Sequence, residues 1–425
     1  MADLGCTIAG IESINPYWLA SAPPTDKQYN VERAFAAGWG GVVWKTLGEN
    51  PPVVNVTSRY GVHKDTARGI LGINNIELIS DRPLEVNLRE IEQVRKNYPD
   101  RVIIGSMMAP VEEELWKSLA IKIANAGVHG IELNLGCPHG MCERGMGSAI
   151  GQVPQMVEDT TRWVRDAVGD LPVFTKLTPN TTDILLPAEA ALSGGADAVA
   201  LINTVNSIIG VDLDVMAPNP VLDGKGTHGG YCGSAVKPIA LHMVAEIARN
   251  GATKDLDISA IGGITNWRDA AEFIALGANA LQVCTAAMLY GFRIIEDMND
   301  GLSDFMDEKG YRSIEDFRGL AMKNTVNWND LNMNYDLKAK IDQDKCIECG
   351  RCHIVCEDTS HQAITMQANT DGGRDFTVVD SECVGCNLCL HVCPVPDCIT
   401  MAPQENGLPY LTWPDHPKNV LKAAE

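Results

Sequence analysis

The sequence contains no run of about 18 consecutive apolar residues, so no membrane-spanning helix is expected. Its first residues, Met-Ala-Asp-Leu-Gly-Cys, lack a basic stretch followed by an apolar one, and a secretory signal is not expected either. Basic residues are scarce: 34 Lys and Arg stand against 55 Asp and Glu, a formal net charge of −21. Such an excess of acid repels phosphate backbones and anionic lipid, which argues against nucleic-acid or membrane-surface binding. The 14 cysteines are too few for a disulfide scaffold in 425 residues. The expected compartment is the reducing cytoplasm, where clustered thiols act as metal ligands. A dinucleotide fingerprint is also missing. A formal Gly-x-Gly-x-x-Gly match at Gly224–Gly229 opens no helix after a strand, and no acid follows at the right distance.

What is present begins with alternation. Up to residue 300, short apolar runs at Trp18–Ser21, Gly41–Thr46, Val102–Met107, Gly130–Leu135, Val173–Leu177, Ala198–Asn203, Ile258–Ile261 and Ala280–Cys284 alternate with helix-like segments. Those segments include Glu112–Ala126, Pro154–Val168, Pro238–Asn250 and Trp267–Leu276. Apolar strands without polar alternation imply parallel strands buried on both faces. Eight such units suit an α/β fold closed as a (β/α)8 TIM barrel, with an open doubly wound sheet as the alternative. Long insertions follow Thr46, up to Pro83, and run from Thr204 to Ala235. Both follow strands, on the face where barrels build active sites. The expected domains are a barrel over 1–300, a helical connector over 301–340, a cysteine-rich domain over 341–401 and an extended tail over 402–425.

Nine of the 14 cysteines fall between Cys346 and Cys398. Cys346-x2-Cys349-x2-Cys352-x3-Cys356 is repeated 37 residues later as Cys383-x2-Cys386-x2-Cys389-x3-Cys393-Pro394. This is the double run of a ferredoxin-like domain with two [4Fe–4S] clusters, in which the fourth cysteine of each run ligates the other cluster. Cys346, Cys349, Cys352 and Cys393 are then one ligand set, and Cys383, Cys386, Cys389 and Cys356 the other. Two zinc knuckles are the alternative. Glu357 stands where the first run would carry proline, and Cys398 falls outside the spacing. Such clusters pass single electrons, so the barrel needs a centre that exchanges one electron with iron–sulfur and two with an organic substrate; flavin is the candidate.

The seventh strand runs into Ile261-Gly262-Gly263-Ile264 and then Thr265-Asn266 ahead of a helix, a phosphate site in many barrels. Lys45 and Lys176 end apolar strands, where an ammonium can stabilise a reduced anionic ring or simply reach the barrel rim. After the fourth strand, the Gly-rich segment Asn134-Leu-Gly-Cys137-Pro-His139-Gly-Met-Cys142 places a cysteine beneath a flexible loop. That cysteine can act as general acid or base, or be an inert buried thiol. Asn75, Asn134, Asn203 and Thr204 can offer donors and acceptors to a ligand, or serve as loop and cap residues.

Asn-Leu-Gly-Cys-Pro-His-Gly, Lys-Leu-Thr-Pro-Asn, Asn-Thr-Val, Gly-Gly-Ile and Leu-Gln-Val-Cys, with the two-cluster domain behind them, resemble the dihydropyrimidine dehydrogenases. More narrowly, the chain is similar to the catalytic subunit of bacterial NAD-dependent members. The resemblance covers essentially the whole chain. It implies a barrel of the dihydroorotate dehydrogenase type holding FMN, and reduction of uracil or thymine at the C5–C6 bond. It makes Cys137 the acid that protonates C5, and Asn75, Asn134, Asn203 and Thr204 the pyrimidine-binding residues. Lys45 and Lys176 would meet the flavin ring; Ser21, Gly233, Ser234, Gly262, Gly263, Cys284 and Thr285 would hold its ribityl phosphate. Gly136 stands where some relatives carry serine, and Asn75 is chosen over the adjacent Asn74. With no nucleotide fingerprint here, the resemblance further implies a partner flavoprotein subunit that binds FAD and NAD(P)H. The competing readings are a dihydroorotate dehydrogenase and an electron-transfer subunit with a non-catalytic barrel.

Overall fold

The computed structural model describes residues 2–54, 57–67, 69–370 and 372–419. The chain divides into two compact units, residues 1–325 and 326–425. Among the described residues no helix is long and apolar enough to cross a membrane.

The first unit is a closed barrel of eight parallel strands, Tyr17–Leu19, Gly41–Leu47, Val102–Met107, Gly130–Asn134, Val173–Lys176, Ala198–Leu201, Asp257–Ile261 and Ala280–Val283. Their order around the barrel is their order in the chain, and Val283 of the eighth strand lies opposite Leu19 of the first, closing the ring. Every residue of the second, third and fourth strands is buried. Helices cover the outer face and the barrel fills its own interior, so neither side of a strand tolerates a solvated polar pattern. That is why the strands read as apolar runs. At least one helix follows each strand before the next begins, among them Glu113–Asn125, Pro154–Val168, Lys237–Arg249 and Trp267–Ala275. The large rings of Trp39, Trp44 and Trp116 have no exposed surface and belong to the main core.

The lower end of the barrel is sealed. A hairpin of Cys6–Ile8 and Ile11–Ser13 packs Cys6, Ile8 and Ile11 against Trp18, Val102, Ala198 and Ala280, residues at or near the starts of four strands. The upper end carries the two insertions, and they meet. Strands Tyr60–Asp65 and Gly69–Asn75 of the first form an antiparallel hairpin, and Gly229–Cys232 and Val205–Ser207 of the second continue it into a four-stranded sheet. Gly230 lies opposite Asn75 in that register. Residues 224–229 lead into one of these short strands and open no helix.

The expected boundary at residue 300 falls inside the helix Ile294–Lys309. Leu302, Met306, Ile314 and Phe317 are buried in the barrel's main core, so this compact unit extends to residue 325. Short 3-10 turns at Leu320–Asn324 and Trp328–Asp330 then replace regular helix.

The second unit consists of two antiparallel pairs, Leu337–Ile341 with Ile399–Pro403 and Ile364–Ala368 with Arg374–Val378, and two short helices, Arg351–Glu357 and Leu388–Val392. Its small core is built from Ala339, Ile364, Phe376 and Ile399 together with the thiols of Cys352, Cys389 and Cys398. So few apolar residues give limited burial, and bound clusters act as staples in domains of this size.

Candidate active site

The sealed floor and the cap sheet leave a cavity of about 1390 Å³, open mouth included, at the upper end of the barrel. All fourteen barrel residues singled out from the sequence line it: Cys137; Asn75, Asn134, Asn203 and Thr204; Lys45 and Lys176; and Ser21, Gly233, Ser234, Gly262, Gly263, Cys284 and Thr285. They converge because strands end there. Asn134 and Lys176 are the last residues of the fourth and fifth strands, while Ser21, Gly262 and Cys284 follow the first, seventh and eighth. Asn75 comes instead from the cap sheet, where its Nδ2 donates to the Gly230 carbonyl at 2.9 Å. Its neighbour Asn74 has no exposed surface and donates to Ser207 Oγ at 2.8 Å, bracing the same sheet.

Along one wall the side chains form a continuous hydrogen-bonded chain. Ser21 and Thr46 hydroxyls lie 3.0 Å apart, Asn134 Nδ2 donates to Thr46 Oγ1 at 2.9 Å, and Asn203 Nδ2 donates to Asn134 Oδ1 at 3.0 Å. The backbone N–H of Thr204 donates to Asn203 Oδ1 at 2.7 Å. Each amide keeps a second N–H for a ligand, because a primary amide carries two donors.

Both lysines are buried and paired. Lys45 Nζ lies 3.3 Å from Glu77 Oε2 and 3.8 Å from Asp26 Oδ2, and Lys176 Nζ lies 3.6 Å from Glu132 Oε1. Burial pushes the Glu77 carboxyl up, but Arg59, Lys45 and Tyr60 together outweigh it and hold it below the usual carboxylate range. Asp26 is held above that range, chiefly by burial.

Cys137 sits in an apolar nest with Ile79, Met108, Met141 and Met146. Burial pushes its thiol up to about 11, so it carries its proton at neutral pH. Its Sγ donates to the His139 carbonyl at 3.5 Å. His139 is also buried, which pushes its imidazole below the ordinary value; its Nε2 bonds the Glu77 carbonyl at 2.7 Å.

On the far wall, Gly233, Gly263 and Thr285 come together from three segments. A Cβ on Gly263 (φ +74°) would lie 3.0 Å from the Gly233 carbonyl oxygen, and one on Gly233 (φ +103°) would lie 3.6 Å from Thr285 Cγ2. Positive φ and close approach both favour glycine at these positions. The helix after them starts at Asn266, whose side chain accepts from Arg268 and Asp269 N–H and so uses part of that terminus for its own cap. The remaining cradle is bare backbone and hydroxyl, a donor set suited to a phosphate.

The cysteine repeat surrounds two voids. Cys356, Cys383, Cys386 and Cys389 line one; Cys346, Cys349, Cys352 and Cys393 line the other, with Cys398 beside them. Among the described residues no group of three or more His, Cys, Asp or Glu side chains could hold a single metal ion. Thiols spread around a void fit a cubane, whose irons occupy the corners, better than a zinc ion that draws four ligands to one point.

The family model described as "Dihydroorotate dehydrogenase" matches residues 3–306, and "4Fe-4S dicluster domain" matches residues 339–401. The chain belongs to the dihydroorotate dehydrogenase family. The chain is an oxidoreductase, and an iron–sulfur domain follows its barrel. Within the family it is 42% identical to the NAD-dependent dihydropyrimidine dehydrogenase subunit PreA of Escherichia coli strain K12, over 92% of this chain and 94% of that one. It is 40% identical to the chloroplastic dihydropyrimidine dehydrogenase (NADP(+)) of Arabidopsis thaliana, over 77% and 79%. The catalytic subunit of dihydroorotate dehydrogenase B (NAD(+)) from Pyrococcus horikoshii is 38% identical, over 74% and 96%.

In this dihydroorotate dehydrogenase family member, sequence reasoning missed Glu77, Glu132, Thr46 and Gln282. Glu132 left a readable signal: a lone acid in a strand with both faces buried requires a partner. Glu77 left none, because it lies in the insertion just after the strand Gly69–Asn75, whose outer partner Gly229–Cys232 is about 150 positions away. Of the cysteines without an assigned role, Cys6 belongs to the lower seal, Cys142 accepts from Ser148 Oγ at 3.1 Å, and Cys232 lies at the cavity wall.

Proposed function

We propose that the chain is the catalytic subunit of a dihydropyrimidine dehydrogenase, reducing the C5–C6 bond of uracil or thymine reversibly. The observation that carries this reading is a proton-loaded thiol, Cys137, in one cavity with neutral amides and hydroxyls. Among the described residues lining the cavity, the lysine and arginine cations are Lys45 and Lys176, and each already faces a carboxylate. A dihydroorotate-like substrate brings a carboxylate of its own and needs an unpaired cation. A neutral imide needs alternating donors and acceptors, which Asn75, Asn134, Asn203 and Thr204 supply.

The donor set fits FMN. Ser21, Gly233, Ser234, Gly262, Gly263, Cys284 and Thr285 would hold its ribityl phosphate, with Lys45 and Lys176 at the ring. Bound there, FMN supplies hydride exchange at C6. Cys137 gives its proton to C5 in reduction and, as thiolate, removes it in the reverse direction. The cap sheet and the Cys137 loop exclude water from the reacting face.

Cys346, Cys349, Cys352 and Cys393 would hold one [4Fe–4S] cluster and Cys383, Cys386, Cys389 and Cys356 a second, and these would supply single electrons. They come from a partner flavoprotein subunit that binds FAD and NAD(P)H, in the cytoplasm. The flavin domain is the first compact unit, residues 1–325, and the cluster domain lies in the second, residues 326–425.

An anaerobic titration tests the reading. Dihydrouracil bleaches the bound flavin and dihydroorotate does not; the opposite order makes the chain a dihydroorotate dehydrogenase. A preparation with clusters but no flavin makes the barrel non-catalytic, and NADH oxidation by the chain alone removes the partner.

A further inference from the structure

We propose that Glu132 is a positioning residue that sets two groups on the cavity floor, the Lys176 ammonium and the Gln282 side-chain carbonyl. The inference rests on the reading of the cavity as a flavin site. Glu132 lies mid-strand, has no exposed surface, and is not itself part of the cavity lining. Its two neighbours are: Lys176 ends the fifth strand and Gln282 lies in the eighth. A carboxylate in the middle of an apolar barrel is costly unless charge and hydrogen bonds meet it.

Each carboxylate oxygen has one of these tasks. Oε1 faces Lys176 Nζ at 3.6 Å and has no hydrogen-bond partner of its own. Oε2 accepts from Gln282 Nε2 at 3.1 Å, and the same Nε2 donates to Ser259 Oγ at 3.0 Å. The reversed amide would set Gln282 Oε1 against the carboxylate oxygen, so the charge on Glu132 selects the orientation seen. That orientation leaves Gln282 Oε1 buried without a protein partner, on a residue that lines the cavity. The floor therefore presents one carboxylate-paired ammonium and one acceptor, from strands five and eight, both set by a residue that does not line the cavity. An unpartnered buried acceptor is unfavourable by itself and is satisfied when a ligand N–H reaches it.

The test is a double-mutant cycle on the full chain, stripped of flavin and titrated with FMN. Glu132→Gln weakens FMN binding about tenfold and shifts the flavin midpoint potential when Lys176 is present. In the Lys176→Met background both effects of Glu132→Gln shrink below half. Equal effects in the two backgrounds overturn the proposal, because a purely structural role is additive. If Glu132→Gln does not accumulate folded, Glu132→Asp, which shortens the reach to Lys176, runs the same cycle. Failure of the wild-type chain to bind FMN overturns the flavin reading and this inference with it, an outcome distinct from additivity.

Discussion

Asn203 Nδ2 donates to Asn134 Oδ1 across 3.0 Å, tying the segment after the sixth strand to the end of the fourth. The two strands are not neighbours in the barrel; the fifth lies between them. The bond therefore spans the cavity floor's edge and orients two amides at once, leaving each with one free N–H. Asn203→Ala removes the donor, leaves Asn134 Oδ1 under-satisfied, and costs about 1–3 kcal/mol in the bound state. Steady-state kinetics with uracil are expected to show kcat/KM lower by roughly 10- to 100-fold, with most of the loss in KM.

Gly136 is what allows that bond. A Cβ there would lie 2.4 Å from Asn203 Cβ and 2.7 Å from its Nδ2. Gly136→Ser therefore displaces Asn203 rather than adding a useful hydroxyl. Overpacking of this kind costs about 1–3 kcal/mol, so thermal melts should register a lower Tm alongside a raised KM for uracil.

Cys137 titrates high because it is buried among methionines, and the sign of its pH dependence follows. The protonated thiol is the acid for reduction, so the rate of uracil reduction holds through neutral pH and falls as pH approaches about 11. Dihydrouracil oxidation needs the thiolate and rises over the same interval. Cys137→Ala lowers reduction by about 10²- to 10⁴-fold and abolishes both limbs. Stopped-flow rates between pH 6 and 11 decide the point; a wild-type rate in the variant removes Cys137 from the chemistry.

Cys356 belongs to the first cysteine run by sequence and to the second void by geometry. Cys356→Ala is accordingly expected to disturb the cluster of Cys383, Cys386 and Cys389 while leaving the other intact. Iron analysis should fall by about half or less, and the spectrum of one cluster alone should change. Loss of the Cys346 cluster instead would mean that the runs do not cross.

Local patterning was enough for the barrel. Parallel strands buried on both faces have no polar positions to spare, so eight apolar runs announce eight strands, to within a few residues at each end. Ligand positions in the cysteine repeat are equally local, since the x2 spacing turns three thiols to one corner. Lys45, Lys176 and Cys137 stood out because strand ends of a barrel share one rim.

The partners of those residues were not legible. Asn75 meets Gly230 only after two insertions about 150 residues apart have paired into one sheet, and nothing in either insertion names the other; Glu77 meets Lys45 only when the first insertion folds back over the strand it follows. Glu132 was visible as a misplaced charge, but its partners come from the adjacent fifth strand and, across the barrel interior, from the eighth, which no local pattern links to it. The 301–325 segment looked like a polar connector because its apolar residues are sparse; burial of Leu302, Met306, Ile314 and Phe317 joins it to the barrel. The chain's periodicity and spacing thus determined the elements and singled out strand-end residues that line one cavity. Which carboxylate faces which lysine, which of Asn74 and Asn75 lines the cavity, and how far the first unit extends were decided by tertiary structure, because each depends on contacts between segments that share no local signal.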